Sequence, residues 1–283
     1  MSQVTDAVTA WTALASAAAA DATNLFRMLV LLPAPSPETE YGRYAGGRAV
    51  SPFPGVAAPI VDPTTTVAAL EQQAAADRAT VATAVAAAQA AAASLAASSA
   101  ASFATAIQGV TAALLAVIAD PADAMRLLPR LANFSPAPLP ASSAYGKNEA
   151  AIVTAVGAVC RRAALTALAR ASALYQPQSQ ADAAAIMESV CGALEAEELI
   201  AGDAGADATF ETLRAMRAAV AQDLAVRGAN LAPVVTVNTG APLPSLLLAN
   251  RLYQDSSRAA ELMAEADPIH PAFMPTAFQA LAR

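Results

Sequence analysis

Between Arg78 and Asp120 no residue carries a charge, and alanine fills about half of the stretch. Alanine loses no side-chain entropy in a helix and is the strongest intrinsic helix former. A run this long commits the middle of the chain to helix. It also raises the question of a membrane span, which needs about twenty consecutive apolar residues. Only 107–119 (IQGVTAALLAVIA) is strongly apolar, and it is too short to span; the alanine, serine and glutamine before it are barely apolar. The expectation is helix buried against helix, with no membrane contact.

The composition extends this to the whole chain of 283 residues, long enough for one large domain or two smaller ones. It is 56% hydrophobic and 5% aromatic, so alanine supplies most of the apolar character. A mainly α fold follows, with long Ala-rich helices in a bundle. Charged residues make up 14%, against about a quarter in ordinary globular chains, and the formal net charge is −7. So few charges imply a surface partly covered by neighbouring subunits. The acidic excess argues against nucleic acid as a partner, because phosphates call for a basic surface. Cys160 and Cys191 have no metal-ligand or disulfide-framework spacing and read as small buried residues in a reducing compartment. The start, MSQVTDAVTAWTAL, lacks the basic region of a signal peptide.

Residues 1–32 read as an N-terminal helix with Trp11, Leu14, Leu25, Phe26 and Leu29 as its bulky apolar points. From 33 to 63, prolines and glycines rule out regular structure, and loops of that length are commonly functional or disordered. An extended arm that clasps a neighbouring chain is expected there, with Tyr41, Arg43 and Tyr44 as contact residues. Residues 64–134 form a long Ala-rich helical region, running from Val67 to Ala119 with no breaker but Gly109. As a single rod that stretch measures about 80 Å. Within it Phe103, Ile107, Val110, Leu114 and Val117 recur at heptad spacing. A short helix follows to 134, then a proline linker over 135–140.

A helical domain is expected over 142–229, made of three helices, the last stopped by Gly228. Arg161, Arg162, Arg170, Arg214 and Arg217 are expected to pair with Asp182, Glu188, Glu195 and their neighbours. Glu195 and Glu198 lie three apart and read as an exposed acidic face. The remaining 230–283 change texture: a strand at Val235 and Val237, a turn at Asn238 and Gly240, a helix from Pro244, a second with Ser256 or Ser257 as N-cap, a proline loop, and a closing strand at AFQALA. This is a β-α-α-β order. His270, the single histidine, stands between Ile269 and Pro271. Proline holds the preceding residue extended, so the expected role of its ring is a hydrogen bond to backbone at the end of the second short helix. No nucleophile elbow, phosphate loop or dinucleotide fingerprint is present. No catalytic, cofactor or metal residues are assigned, and the chain is not expected to be an enzyme.

The ordered series Arg227-Gly228, Leu231, Val235, Pro244, Leu252-Tyr253, Asp255, Ser257-Arg258, Glu261-Leu262, His270-Pro271 and Phe273 resembles the C-terminal half of the phage Mu-like DNA-circularisation (DNA circulation) protein family. The likeness runs from about 150 to the C-terminus. Glu265-Ala266 stands where the family usually has Arg-Asn, and Gln254 where it has glycine. The family's β-rich N-terminal region has no counterpart here. The last fifty residues also resemble a LysM-like module, with Gly240-Ala241 in place of the usual Gly-Asp.

The resemblance implies a structural component of a contractile phage tail, a baseplate hub or tube-initiating ring, located in the virion and assembled in the bacterial host cytoplasm. Its expected partners are copies of itself, in a ring-like homo-oligomer, and other tail or baseplate proteins. Arg251, Tyr253, Arg258, His270 and Phe273 are the expected contact residues of the C-terminal module. The alternatives are a protein that binds and circularises injected DNA ends, and a glycan-binding role for the module.

Overall fold

In a computed structural model of the chain, residues 2–31, 67–95, 99–140, 142–266, 268 and 270–282 are described. The expected arm at 33–63, with Tyr41, Arg43 and Tyr44, lies outside them. The protein is mainly helical, with a small two-stranded antiparallel sheet near its C-terminus. The chain divides into two compact units. One comprises Met1–Arg27, Thr66–Gln176 and Ala185–Ala225; the other comprises Met28–Thr65, Pro177–Ala184 and Val226–Arg283.

The larger unit is built from most of α1 (Ser2–Leu31), α2 (Val67–Ala93), α3 (Ala100–Val117), α4 (Pro121–Ala132), α5 (Ala144–Leu174), and most of α6 (Gln180–Asp203) and α7 (Asp207–Ala229). Helix α1 buries Val4, Val8, Trp11, Ala15, Ala18 and Ala22, a stripe stepping alternately by four and three. Leu14 lies off that stripe and faces outward, against expectation. The Trp11 indole N–H donates to the Leu131 carbonyl at 3.4 Å. An indole buried this deeply keeps its polar edge satisfied by such a bond.

The expected unbroken rod from Val67 to Ala119 is instead two helices, and the serines account for the break. The Ser94 hydroxyl donates back to the Ala90 carbonyl at 3.0 Å. Ser99 has extended backbone, and its hydroxyl accepts the Ser102 N–H at 3.2 Å, so it is the N-cap of α3. Helices α2 and α3 pack on each other, which buries apolar side chains that a free rod would leave in water. Of the expected seam Phe103, Ile107, Val110 and Leu114 are buried, and Val117 at its end is partly buried.

Asp120 caps α4 and Ser143 caps α5, each side chain accepting a first-turn N–H. The linker at 135–140 crosses α5 where Gly157 leaves room for it. A Cβ at 157 would stand 2.8 Å from Pro136 Cδ. Among the described residues α3 and α5 are long and apolar enough to cross a membrane by length and composition, although the apolar part of α3 reads from the sequence as too short to span and α5 was not anticipated at all. Each buries large apolar side chains in the core, Ile107 and Leu114 from α3 and Leu165 and Leu168 from α5, although Tyr145, Ile152 and Leu174 of α5 are exposed.

The smaller unit has the expected β-α-α-β order. β1 (Val234–Asn238) pairs antiparallel with β2 (Ala277–Leu281), Thr236 opposite Gln279. Between them lie α8 (Ser245–Tyr253), a 3-10 turn (Ser256–Arg258) and α9 (Ala259–Ala266). Leu248, Tyr253, Leu262, Met274 and Phe278 form a separate small core. Gly228 does not stop α7, which continues to Ala229. Its hydrogen is needed because a Cβ there would meet the Ala183 Cβ at 2.8 Å.

Candidate functional site

Most of the side chains singled out from the sequence lie in the smaller unit. Pro244, extended at φ −63°, opens α8. The helix ends at Gln254, whose backbone is left-handed (φ 58°, ψ 24°) and whose N–H returns to the Asn250 carbonyl. Among the described residues it is the only non-glycine at positive φ, and it is the position where the resemblance calls for glycine. Asp255 then accepts both the N–H and the hydroxyl of Ser257, at 2.8 and 2.7 Å. These two bonds stabilise the carboxylate and hold the Asp255 carboxyl below its ordinary range. The cap is therefore Asp255 and not Ser256 or Ser257, which sit inside the turn.

Tyr253 and Arg258, both expected to meet partners, are engaged internally. The Arg258 guanidinium lies 3.9 Å over the centroid of the buried Tyr253 ring. It also donates to both oxygens of Glu261, at 2.6 and 2.8 Å. Burial pushes the Tyr253 hydroxyl up, partly offset by Arg258 and by the backbone at Leu281. Arg251 is exposed and, among the described residues, makes no ion pair. Glu265, at the position of the family's arginine, is pushed above the usual carboxylate range by burial, then by Asp182 and Glu261.

His270 and Phe273 form an exposed aromatic pair, ring centroids 5.8 Å apart. His270 Nδ1 accepts the Ala272 N–H at 3.1 Å, and its carbonyl accepts the Phe273 N–H at 3.0 Å. The ring thus bonds backbone, as expected, but within its own turn and not at the end of α9. Since Nδ1 is an acceptor, the proton of the neutral ring sits on Nε2. Phe273 is 70% exposed, and Leu246 and Leu247 at the start of α8 are also exposed. The Ser245 N–H bonds the Pro271 carbonyl at 2.8 Å, so this helix start and the aromatic turn are neighbours.

The larger unit holds an ion cluster that the sequence located only in part. Glu197 and Glu198 are buried, at 3% and 5% exposure. Glu197 accepts from Arg161 at 2.7 Å and Arg162 at 2.8 Å; Glu198 accepts from Arg217 at 2.9 Å. Pairing of these arginines with Asp182, Glu188, Glu195 and their neighbours was expected, and it falls on the neighbours Glu197 and Glu198; Glu198 is buried, against the exposed face expected for it. Adjacent residues on a helix point about 100° apart, which lets 197 face α5 and 198 face α7, while Glu195 stays outside. Each buried carboxylate is matched by guanidinium donors, as burial demands. Among the described residues Arg170 and Arg214 make no ion pair.

Cys160 is buried, as expected, and its thiol is pushed up to about 12 by desolvation. Cys191 is only half-buried, lining a cleft of about 360 Å³ with Met187, Glu188, Arg214 and Arg217. Among the described residues no group of three or more His, Cys, Asp or Glu is placed to hold a metal ion. No protein-family model matches the chain, and no curated protein matches it in sequence.

Proposed function

We propose that the chain is a structural component of a contractile phage tail, part of the baseplate hub or of the ring from which the tube starts. It works through contacts with copies of itself and with other tail proteins, and catalyses no reaction. The observation that carries this reading is a match of register. The resemblance asks for glycine between the two short helices, and the residue standing there, Gln254, is held in the left-handed conformation that glycine takes at least cost. The rest of the series lies on the same small unit in consistent structural roles. Asp255 caps, Arg258 braces Tyr253 against Glu261, and Pro271 follows the His270 turn. On this reading the LysM-like course of the unit is a packing element, and the exposed His270–Phe273 pair beside Leu246 and Leu247 is what it offers to an adjoining tail protein.

The test is composition. Tail particles purified from the host that carries the chain are expected to contain it in fixed stoichiometry by mass spectrometry. Phe273→Ser, at an exposed position, is expected to deplete it from particles while leaving its circular dichroism unchanged. Particles that lack the wild-type chain would overturn the proposal.

A further inference from the structure

Two exposed surfaces of the larger unit are complementary in shape class and in charge. The first is a groove of about 550 Å³ between the end of α3, the start of α4 and the end of α5. Its lining is alanine with Leu115, Ile118 and Leu174, and its one charged lining residue is Arg170. Leu174 is 67% exposed there. Arg170 stands one turn before it on the same face of α5, and among the described residues it has no ion pair. Arg170 also lines an adjoining cleft with Asp223 but makes no ion pair there, and a guanidinium free to pair beside an apolar groove calls for an acidic, apolar occupant.

The second surface is the outer edge of α6 near its end. Leu199 and Ile200 are 62% and 47% exposed. Asp203 follows at i+4 and i+3 from them, on the same face, and is exposed with no ion pair among the described residues. Each surface therefore sets large apolar side chains one helical turn from an unpaired charge, and the charges are opposite. Glu197, two residues before Leu199, meets Arg161 and Arg162. That edge thus lies level with the middle of α5, whereas the groove lies toward its end. A chain cannot fill its own groove with that edge while both helices stay packed; another copy can.

We propose that a second copy of this chain docks its Leu199–Ile200–Asp203 edge into the groove beside Arg170 and Leu174. Asp203 pairs with Arg170, and Leu199 and Ile200 displace water from the alanine walls. Because groove and edge are different surfaces, the contact repeated in one direction builds a ring or filament, and made reciprocally it stops at a dimer. The inference deepens the ring reading above and rests on it for the closed form of the assembly.

Sedimentation velocity on the full chain over a concentration series tests it. The wild type is expected above monomer mass. Arg170→Glu and Asp203→Arg, each at an exposed position, are expected to raise the concentration needed for association by about tenfold or more. The double variant Arg170→Glu/Asp203→Arg is expected to regain most of it, and Leu174→Ser to weaken association without any charge change. Circular dichroism of each variant verifies that the helices are intact. Association that ignores Arg170→Glu, or a double variant no better than the singles, overturns the contact and leaves the ring standing. A dimer that responds to the charge swap keeps the contact and overturns the ring. A wild-type monomer at all concentrations overturns both.

Discussion

Gln254 holds a backbone conformation that a Cβ disfavours by about 1–2 kcal/mol. Its backbone N–H bond to the Asn250 carbonyl is an ordinary helix-end closure and does not offset that strain. Gln254→Gly is therefore expected to stabilise the chain, by roughly 0.5–1 kcal/mol once the greater freedom of glycine in the unfolded chain is deducted. A urea midpoint at or below that of the wild type would show that the turn is not strained. The position was legible in advance, since it is where the resemblance has glycine. The cation–π stack of Arg258 on Tyr253 was not. Five residues apart in sequence, they are brought together only by the left-handed turn and the Asp255 cap between them. Tyr253 reads from the sequence as a core anchor as well as a contact residue and is buried, whereas Arg258 was expected to meet a partner and instead braces the unit. His270 was read correctly as a turn residue because proline restricts its backbone whatever surrounds it.

At the scale of elements, two glycines in long helices have opposite roles that sequence cannot distinguish. Gly109 in α3 has nothing within 4 Å of where a Cβ would stand, whereas Gly157 in α5 carries Pro136 against it. Gly109→Ala is expected to stabilise by about 0.5–1 kcal/mol through helix propensity. Gly157→Ala is expected to destabilise by about 1–3 kcal/mol through overpacking. Thermal melts of the two variants should move in opposite directions, and a common sign would mean that the linker does not pin α5. Helix existence was legible nearly everywhere, because alanine leaves few alternatives. Helix ends were legible where serine, aspartate or proline stands before a run, as at Asp120-Pro121 and Ser143. The end of α2 at Ala93 and the new start at Ser99 were missed because serine inside an alanine run reads equally as helix filler or as cap. Only packing α2 against α3 makes the cap the better use.

For the whole molecule the same asymmetry appears in the charges and thiols. Cys160 is fully buried, and its pKa rises from 9.0 to about 12 on folding. The folded state thus keeps a proton that the unfolded chain gives up. Its contribution to stability is whole below about pH 9 and is lost as pH climbs toward 12. Two measurements follow: the urea midpoint should fall over that alkaline window, and at pH 8 a thiol reagent should label Cys191 from its cleft well before Cys160. Equal labelling of both in native conditions would place Cys160 outside a protected core.

Residues alone show that the chain is helical, that it turns into a β-α-α-β unit after residue 230, and that charge is sparse. Those follow from propensity, proline and periodicity, which act within a few residues of each position. Only the tertiary structure decided which of three neighbouring glutamates is exposed, which arginines are left unpaired, and which aromatic faces water. Those outcomes depend on which helices stand beside a given face. Alanine is too small and too uniform to mark one face from another, so partner choice rests on the few large or charged side chains and is resolved only when the helices pack.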